Sequence, residues 1–526
     1  MPESSTDFLS VAVGLFILVL LKKIFDSWKT TKGPYPPGPK PKFLIGNALD
    51  FPMNGIGQHF MKVGEQLQSG LVHLNILGNH TLFINKKNIA DDLLEKRARI
   101  YSGRPHLTAV EALGWDTSNI LIMGYGDEWR KHRKVAQQHL NKRQTRTYEH
   151  IQLRHLHKML HRLLYSPEDF LQHTEVLSTA VVMDIMYGYQ IDRHDDPANV
   201  AAEKMVALAV SLMLPGGALM NILPFLRHLP AWIPGNIAGK GVKDCLVWMH
   251  EMRDIPMADL RKRMDQGMAT HSAVSACLEK NAASAVDTDP DAERVMCNIA
   301  WASYTAAVET TVSATGWFFY AMLLHPRVQR KAQAEIDSII GAGRLPTFAD
   351  RPSLPYIEAI YREVMRYAPP LYVGFTHSST EDDWYDGYFI PKGTSVFANL
   401  WAMTHNEGVY PDADTFNPER FLDEHGELND DDNILAYGFG RRACVGKHVA
   451  SATMWITIVS VLACFMIEHP KDEQGNEIEV DNECEYLGLV MRKKPFKCRF
   501  VPRSEGARRL VEEATLDVGT SQTHFL

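Results

Sequence analysis

Apolar and polar residues alternate along this chain in several rhythms, and each predicts an element. The run FLSVAVGLFILVLL, Phe8 to Leu21, carries no charge; its fourteen residues suit a signal-peptide core as well as a membrane span. Extended to Phe25, with Lys22 and Lys23 reaching the lipid boundary, it becomes a near-spanning helix. No small-x-small cleavage site follows. Glu3 and Asp7 precede the run and Lys22, Lys23, Lys29 and Lys32 follow it, so an uncleaved anchor with the body on the cytosolic side is expected. GPYPPGPKP, residues 33–41, predicts a stiff extended spacer. From about 70 to 90 the alternating GLVHLNILGNHTLFIN, with Gly-Asn in its middle, predicts a hairpin. Helical periodicity covers 127–164, 173–190 and 198–214, stops at the three prolines of LPFLRHLPAWIPG (223–235), and resumes over 239–280. A polar connection, 281–293, precedes helices over 291–324, 326–340 and 354–367, and short strands fit 384–398. A long apolar helix follows YGFGRRACVGK (437–447), and from about Ser504 the chain is polar and expected to fray. The pattern predicts a mainly α fold with minor β.

Composition narrows this reading. Of 526 residues, 45% are hydrophobic and 22% charged, which fits a folded body, and a net charge of −8 gives no support to nucleic-acid binding. Seven cysteines, an odd number without a CxxC pair, read as a reducing compartment rather than a disulfide framework.

The candidate chemistry centres on Cys444. A cysteine at a helix N-terminus has its thiolate favoured by the helix dipole and free N–H groups. Gly438 and Gly440 permit a tight turn, Arg441 and Arg442 add positive charge, and Gly446 lets backbone approach the sulfur. Such a thiolate serves an electrophile or a metal. One cysteine without companion ligands builds no zinc site, but it suffices as the protein ligand of haem iron, with Arg442 pairing a propionate. The stretch resembles the haem-binding signature of the cytochrome P450 superfamily, Phe-x-x-Gly-x-Arg-x-Cys-x-Gly, carried here by Tyr437, Gly440, Arg442, Cys444 and Gly446. Tyr437 stands where the family usually has Phe, and two readings stay open: a swap that keeps aromatic packing, or a hydroxyl near the sulfur that changes the iron's reduction potential.

Other motifs follow in the family's order. Glu363 and Arg366 of EVMR, with Arg420 of FNPERF, match its buried Glu-Arg-Arg triad and are expected to be structural. Trp129 and Arg133 of DEWRKHRK match residues that reach a haem propionate; His377 matches another propionate contact, with an exposed loop histidine as the rival reading. YTAAVETTVSATGW resembles the central helix, which makes Glu309 and Thr310 the acid-alcohol pair that relays protons to dioxygen. Ala307 departs from the family's common Gly, and its methyl is expected to narrow the oxygen groove.

The resemblance, over about residues 35–500, implies the P450 fold behind an anchor: 1–32 anchor, 33–41 spacer, 42–503 haem-thiolate monooxygenase domain, 504–526 tail. It is similar to fungal microsomal members of secondary metabolism. It implies haem b, electrons from NADPH through cytochrome P450 reductase, with cytochrome b5 as a second candidate partner, and single-pass anchoring in the endoplasmic reticulum membrane. It implies a lipophilic substrate, a terpenoid or polyketide intermediate, against apolar residues that include Ala302, Ala306, Val373, Phe375 and Leu487. WRKHRK and Lys447 are expected to form a basic face for the reductase. Three alternatives stay open: a haem-thiolate isomerase or dehydratase working without O₂, a membrane-anchored haem sensor or carrier, and a cysteine-nucleophile hydrolase that leaves the other motifs unexplained.

Overall fold

The computed structural model of the chain describes residues 32–43, 45–213, 219–221, 224, 227, 237–283 and 291–520. The expected anchor, apart from Lys32, falls outside the described residues, as do most of the three-proline loop and residues 284–290. Among the described residues helices dominate and strands are short. The chain groups into two compact units. One takes the residues up to Pro105 with Tyr372–Asn406 and Gly438–Ala443; the other takes His106–Leu371, Glu407–Tyr437 and the chain from Cys444 onward.

The first unit is built on a four-stranded sheet. Strands β1 (Leu71–Ile76) and β2 (Asn79–Ile84) form the expected hairpin, turning at Leu77 and Gly78. Both turn residues have positive φ, 49° and 82°, the twist that joins antiparallel strands tightly. The side-chain oxygen of Asn75 accepts the Gly78 amide at 2.9 Å. The region 384–398 forms the predicted strands β4 (Asp383–Tyr385), β5 (Tyr388–Ile390) and β6 (Ser395–Ala398). β2 pairs β6 in parallel, and β6 pairs β3 (His377–Ser378) antiparallel. A stack of Phe60, Phe83 and Phe397, with ring centroids 4.0 and 4.8 Å apart, fills the face that helix α1 (Ile56–Gln66) covers. The proline-rich segment is no free spacer. The Pro34 carbonyl accepts the Phe389 amide at 2.7 Å, the Pro37 carbonyl accepts His73 at 2.8 Å, and Tyr35 stacks on His73.

The second unit is helical. The basic stretch 127–164, read as one helix, forms three: α2 (Asp127–Leu140), α3 (Lys142–Thr147) and α4 (Glu149–Tyr165). Asn141 makes the break, because its side-chain oxygen accepts the amides of Arg143 and Gln144 (2.9 and 3.0 Å) and caps a new helix. α5 (Phe170–Tyr187) and α6 (Pro197–Met213) lie where the periodicity placed them, and 239–280 divides into α7 (Ile237–Asp265) and α8 (Ala273–Ala283). The central helix α9 (Ala292–Leu324) has 33 residues and spans about 50 Å. α10 (Pro326–Ile339), α11 (Pro355–Tyr367) and α12 (Lys447–Cys464) follow, with short strands β7 (Phe465–Glu468), β8 (Cys484–Leu487), β9 (Val490–Lys493) and β10 (Arg499–Pro502). Among the described residues, α12 alone is long and apolar enough to cross a membrane, and it is mostly buried: it is a core helix. The tail expected to fray instead forms α13 (Glu505–Thr520), which buries Val511 and accepts a 2.6 Å bond from Tyr165 Oη on Glu512. A single apolar residue facing inward is enough to dock a mainly polar helix.

Glu363 and Arg366 on α11 and Arg420 form one buried cluster. Arg366 reaches both Glu363 oxygens, Nε to Oε2 at 2.6 Å and NH2 to Oε1 at 2.7 Å. Arg420 Nε adds 3.2 Å and the Asn417 amide 2.8 Å to Oε1. Arg420 then binds the carbonyls of Pro411 and Thr415 (3.0 and 3.2 Å), which fastens segment 411–420 to α11. Glu363 is fully buried, so its charge depends on these donors. Glu363→Gln should therefore cost about 3–5 kcal/mol, read as a lower urea midpoint, by leaving two guanidinium groups without their anion.

Candidate active site

Cys444 lies on the turn that opens α12. Its amide donates to the Tyr437 carbonyl at 2.8 Å, which closes the loop and fixes where the sulfur emerges. The Tyr437 hydroxyl shares a 2.8 Å hydrogen bond with Tyr361, so the extra oxygen of this residue has a partner within the core. A Cβ added at Gly446 would meet the sulfur at 3.9 Å, ordinary contact, so the sulfur does not itself require glycine there. The requirement falls on Gly440: at φ 54° an added Cβ would lie 2.2 Å from the Leu94 carbonyl.

The thiol differs from the sequence expectation. Burial by surrounding protein pushes its pKa up, against the Gly446 amide and the charges of Arg133 and Lys447, and the net direction is upward. One face of the residue nonetheless stays accessible to solvent. Helix dipole and nearby cations do not suffice to ionise this sulfur in so desolvated a place. The charges acting on it are cationic, and neither an arginine nor a lysine is a general base at neutral pH. Arg133 is itself depressed by burial and partly restored by Cys444. Trp129 is buried, with its indole N–H donating to the Ile120 carbonyl at 3.2 Å.

In the first unit the structure brings together His377, Arg442 and a residue that sequence reasoning missed, Arg104. Arg442 Nε donates to the Ser102 carbonyl at 2.9 Å. Arg104 donates to the carbonyls of Phe375 and Thr376 at 3.1 and 2.7 Å and lies over the Phe375 ring. Burial and the neighbouring Arg442 hold Arg104 well below its ordinary pKa. His377 is not an exposed loop residue: it is buried on β3, its Nδ1 2.8 Å from the Tyr101 carbonyl. Burial, then Arg104, lowers its pKa to about 3. A neutral ring that donates Nδ1–H to a carbonyl carries no proton on Nε2, so binding a carboxylate there requires proton uptake, which an anion favours. Arg104 stands in SGRPH as a lone arginine; nothing in that stretch signals that the fold sets it beside Arg442.

On α9, Glu309 is ion-paired with Arg492 at 2.7 Å, a second residue that sequence reading missed. Burial pushes the Glu309 carboxyl upward and Arg492 opposes it; the net direction is up. Thr310 Oγ1 donates to the Ala306 carbonyl at 2.8 Å, the back-bond that a threonine within a helix can make, and Ser178 donates to the next carbonyl, Ala307, at 2.6 Å. Ala306 is exposed midway along a helix whose neighbours Ala302, Ala307 and Val308 are buried, and Thr310, one turn on, is half-exposed. Small residues thus keep one stripe of the central helix open. Leu487, on β8, is half-buried; in the first unit Phe375 is half-buried and Val373 wholly buried, so Val373 backs a surface rather than forming one.

The expected basic face is narrower than its sequence. Within WRKHRK, Lys131 pairs with Asp291 at 3.1 Å and His132 is buried on the Glu128 carbonyl. Arg130, although paired with Asp127, is exposed, as are Lys134 and Lys447.

The chain matches the cytochrome P450 family over residues 36–500. It is 37% identical over 487 residues to "Cytochrome P450 monooxygenase 98" of Postia placenta, covering 91% of this chain and 92% of that protein. It is 34% identical to "Cytochrome P450 monooxygenase ple1" of Rhodocybe pseudopiperita over 98% of both chains. It is 36% identical to "Cytochrome P450 monooxygenase claR" of Ampulloclitocybe clavipes, over 95% of this chain and 92% of the other. With the family pattern spanning most of its length and relatives aligned nearly end to end, the chain belongs to the cytochrome P450 family.

Proposed function

We propose that this chain is a haem-thiolate monooxygenase. It places one atom of O₂ in a lipophilic small molecule, a secondary metabolite of the terpenoid or polyketide kind, with electrons from NADPH through a separate reductase. One observation carries the reading: a lone cysteine, tied by its own amide at the start of a buried apolar helix, with an open face and cationic neighbours. Among the described residues, the charges that act on this sulfur are those of Arg133 and Lys447, and no cluster of metal-ligating side chains includes it. It is sufficient as the sole protein ligand of haem.

The donor set fits that group. By the family's pattern, Cys444 would hold the iron and Trp129, Arg133, His377 and Arg442 match residues that serve the propionates; Arg104 acts on His377 within the first unit. Burial and Arg442 both disfavour the charge on Arg104, and a carboxylate nearby would favour it. Burial keeps the free thiol neutral; coordination to a metal ionises it. Bound haem b supplies oxygen activation, which the thiolate favours.

The chain's own residues bind, exclude water and handle protons. Ala306, Phe375 and Leu487 offer apolar surface suited to a lipophilic substrate, while Ala302 and Val373 are buried. Glu309 and Thr310 are the acid and alcohol of proton delivery; Thr310 must turn from the Ala306 carbonyl to pass a proton. Residues 1–32 anchor the chain in the endoplasmic reticulum membrane, with Arg130, Lys134 and Lys447 toward the reductase. An isomerase or dehydratase leaves the Glu309–Thr310 pair without a task, and a haem carrier would consume no NADPH.

Cys444→Ala should lose the red-shifted carbon-monoxide band of a thiolate-ligated ferrous haem; a band that persists refutes the ligand. Thr310→Ala should lower product formed per NADPH by on the order of 10²-fold while Thr310→Ser retains most of it, and equal coupling in all three proteins would remove the relay. Deleting residues 1–32 should release at least part of the protein from membranes in a flotation assay; undiminished flotation would point to another anchor. Cells co-expressing the chain and a reductase, fed a panel of terpenoids and polyketides, should yield products heavier by one oxygen in mass spectrometry. NADPH consumption that stays at the reductase-only rate across the panel would overturn the monooxygenase reading.

A further inference from the structure

The ion pair on the central helix belongs to a larger charged cluster in the second unit. Arg492 on β9 faces three carboxylates: Glu309 on α9 at 2.7 Å, Glu175 on α5 at 3.3 Å and Glu485 on β8 at 3.9 Å. Glu175 is also met by His194, whose Nε2 lies 2.8 Å from it and 3.3 Å from Glu203 on α6. One guanidinium is therefore divided among several anions.

Its location is fixed by backbone. The Met491 carbonyl accepts Ser313 Oγ at 2.6 Å, and Ser313 stands one turn beyond Glu309 on α9. On its other side the Met491 amide donates to the Pro370 carbonyl at 2.9 Å. Strand β9 is thus fastened to the central helix at the adjacent residue, and the guanidinium is delivered to Glu309 by a rigid element. Glu175, His194 and Glu203 could gather round a cation, their ligand atoms lying within 4.8 Å of one another. Arg492 already brings positive charge to Glu175, which argues against a metal there.

We infer that Arg492 is the positioning residue of the proton-delivery acid: it orients the Glu309 carboxylate toward β9 and sets its charge, and Glu175 sets how much of Arg492 is available to it. The inference rests on the proposed function for the role of Glu309, but the arrangement of charges stands without it. The groups facing Glu309 are Arg492, Glu175 and Glu203. Burial and the two glutamates favour the neutral acid, and Arg492 favours the carboxylate. Removing Arg492 must then extend the neutral form to higher pH. Removing Glu175 takes away a like charge and a rival for Arg492, and must contract it to lower pH. A merely structural arginine gives no such opposite pair.

The test is the protonated-carboxyl band of Glu309, titrated by infrared difference spectroscopy, with Glu309→Gln as the reference that lacks it. Relative to the unsubstituted protein, Arg492→Gln should raise the midpoint by about one to three pH units. Arg492→Lys should restore most of the original midpoint, and Glu175→Gln should lower it. Substrate-free peroxide release with NADPH and reductase, followed against pH, should move with the band. Midpoints that stay put in Arg492→Gln and Glu175→Gln, or shift the same way, overturn the inference. The carbon-monoxide spectrum of the same preparations separates this from failure of the haem-thiolate reading: a missing red-shifted band in the unsubstituted protein sinks the proposed function while the carboxyl titration remains readable.

Discussion

A charge taken out of water must find its partners inside the fold, and how completely it does so separates the parts of this molecule. Glu363 is fully buried and takes Arg366 on both oxygens, Arg420 and a backbone amide. That satisfaction makes it structural: it locks residues 411–420 to α11, and its dense partnering leaves little freedom to change state. Glu309 is also largely buried, but its arginine is shared with Glu175 and Glu485. Burial therefore pushes its carboxyl upward, against Arg492.

The first unit gathers cations: Arg104 lies beside Arg442. Arg104 and Arg442 turn to backbone carbonyls, and His377 is kept neutral beside them. Carbonyl dipoles solvate a guanidinium without cancelling its charge. Cys444 follows the same logic with the opposite sign. Its burial raises the cost of a thiolate and holds the free sulfur toward the neutral thiol.

Much of this was legible in the sequence, for reasons that can be named. The helices over 170–187, 197–213, 292–324, 326–339 and 355–367 announce themselves because their apolar positions recur at helical spacing, and 71–84 because its positions alternate. The break at Asn141 was hidden inside a continuous helical pattern, since a cap depends on one side chain turning back to two amides. The tail was misread because its single buried residue, Val511, is outweighed by polar neighbours. Motif residues were legible where chemistry fixes their type, as at Cys444 and Glu363. Arg104 and Arg492 were not. Arg492 lies 183 residues from its partner Glu309, and such a pairing exists only once β9 is seated on α9.

The two departures from the family's motifs, Tyr437 and Ala307, are absorbed differently from what their chemistry alone implies. A hydroxyl near the sulfur would be expected to tune it. Here that hydroxyl shares a hydrogen bond with Tyr361, and Tyr437 meets Cys444 both through its backbone carbonyl and through the charge of the thiolate form. The swap from Phe therefore costs little because Tyr361 is there to receive it. A methyl at Ala307 would be expected to narrow the space over the cofactor. Yet Ala307 is buried and its carbonyl is bonded to Ser178 of α5, whereas the open stripe of α9 is carried by Ala306 and Thr310. Successive residues on a helix point about 100° apart, so the face that packs against α5 and the face kept open are different faces. Alanine in place of glycine also adds helix propensity of about 1 kcal/mol.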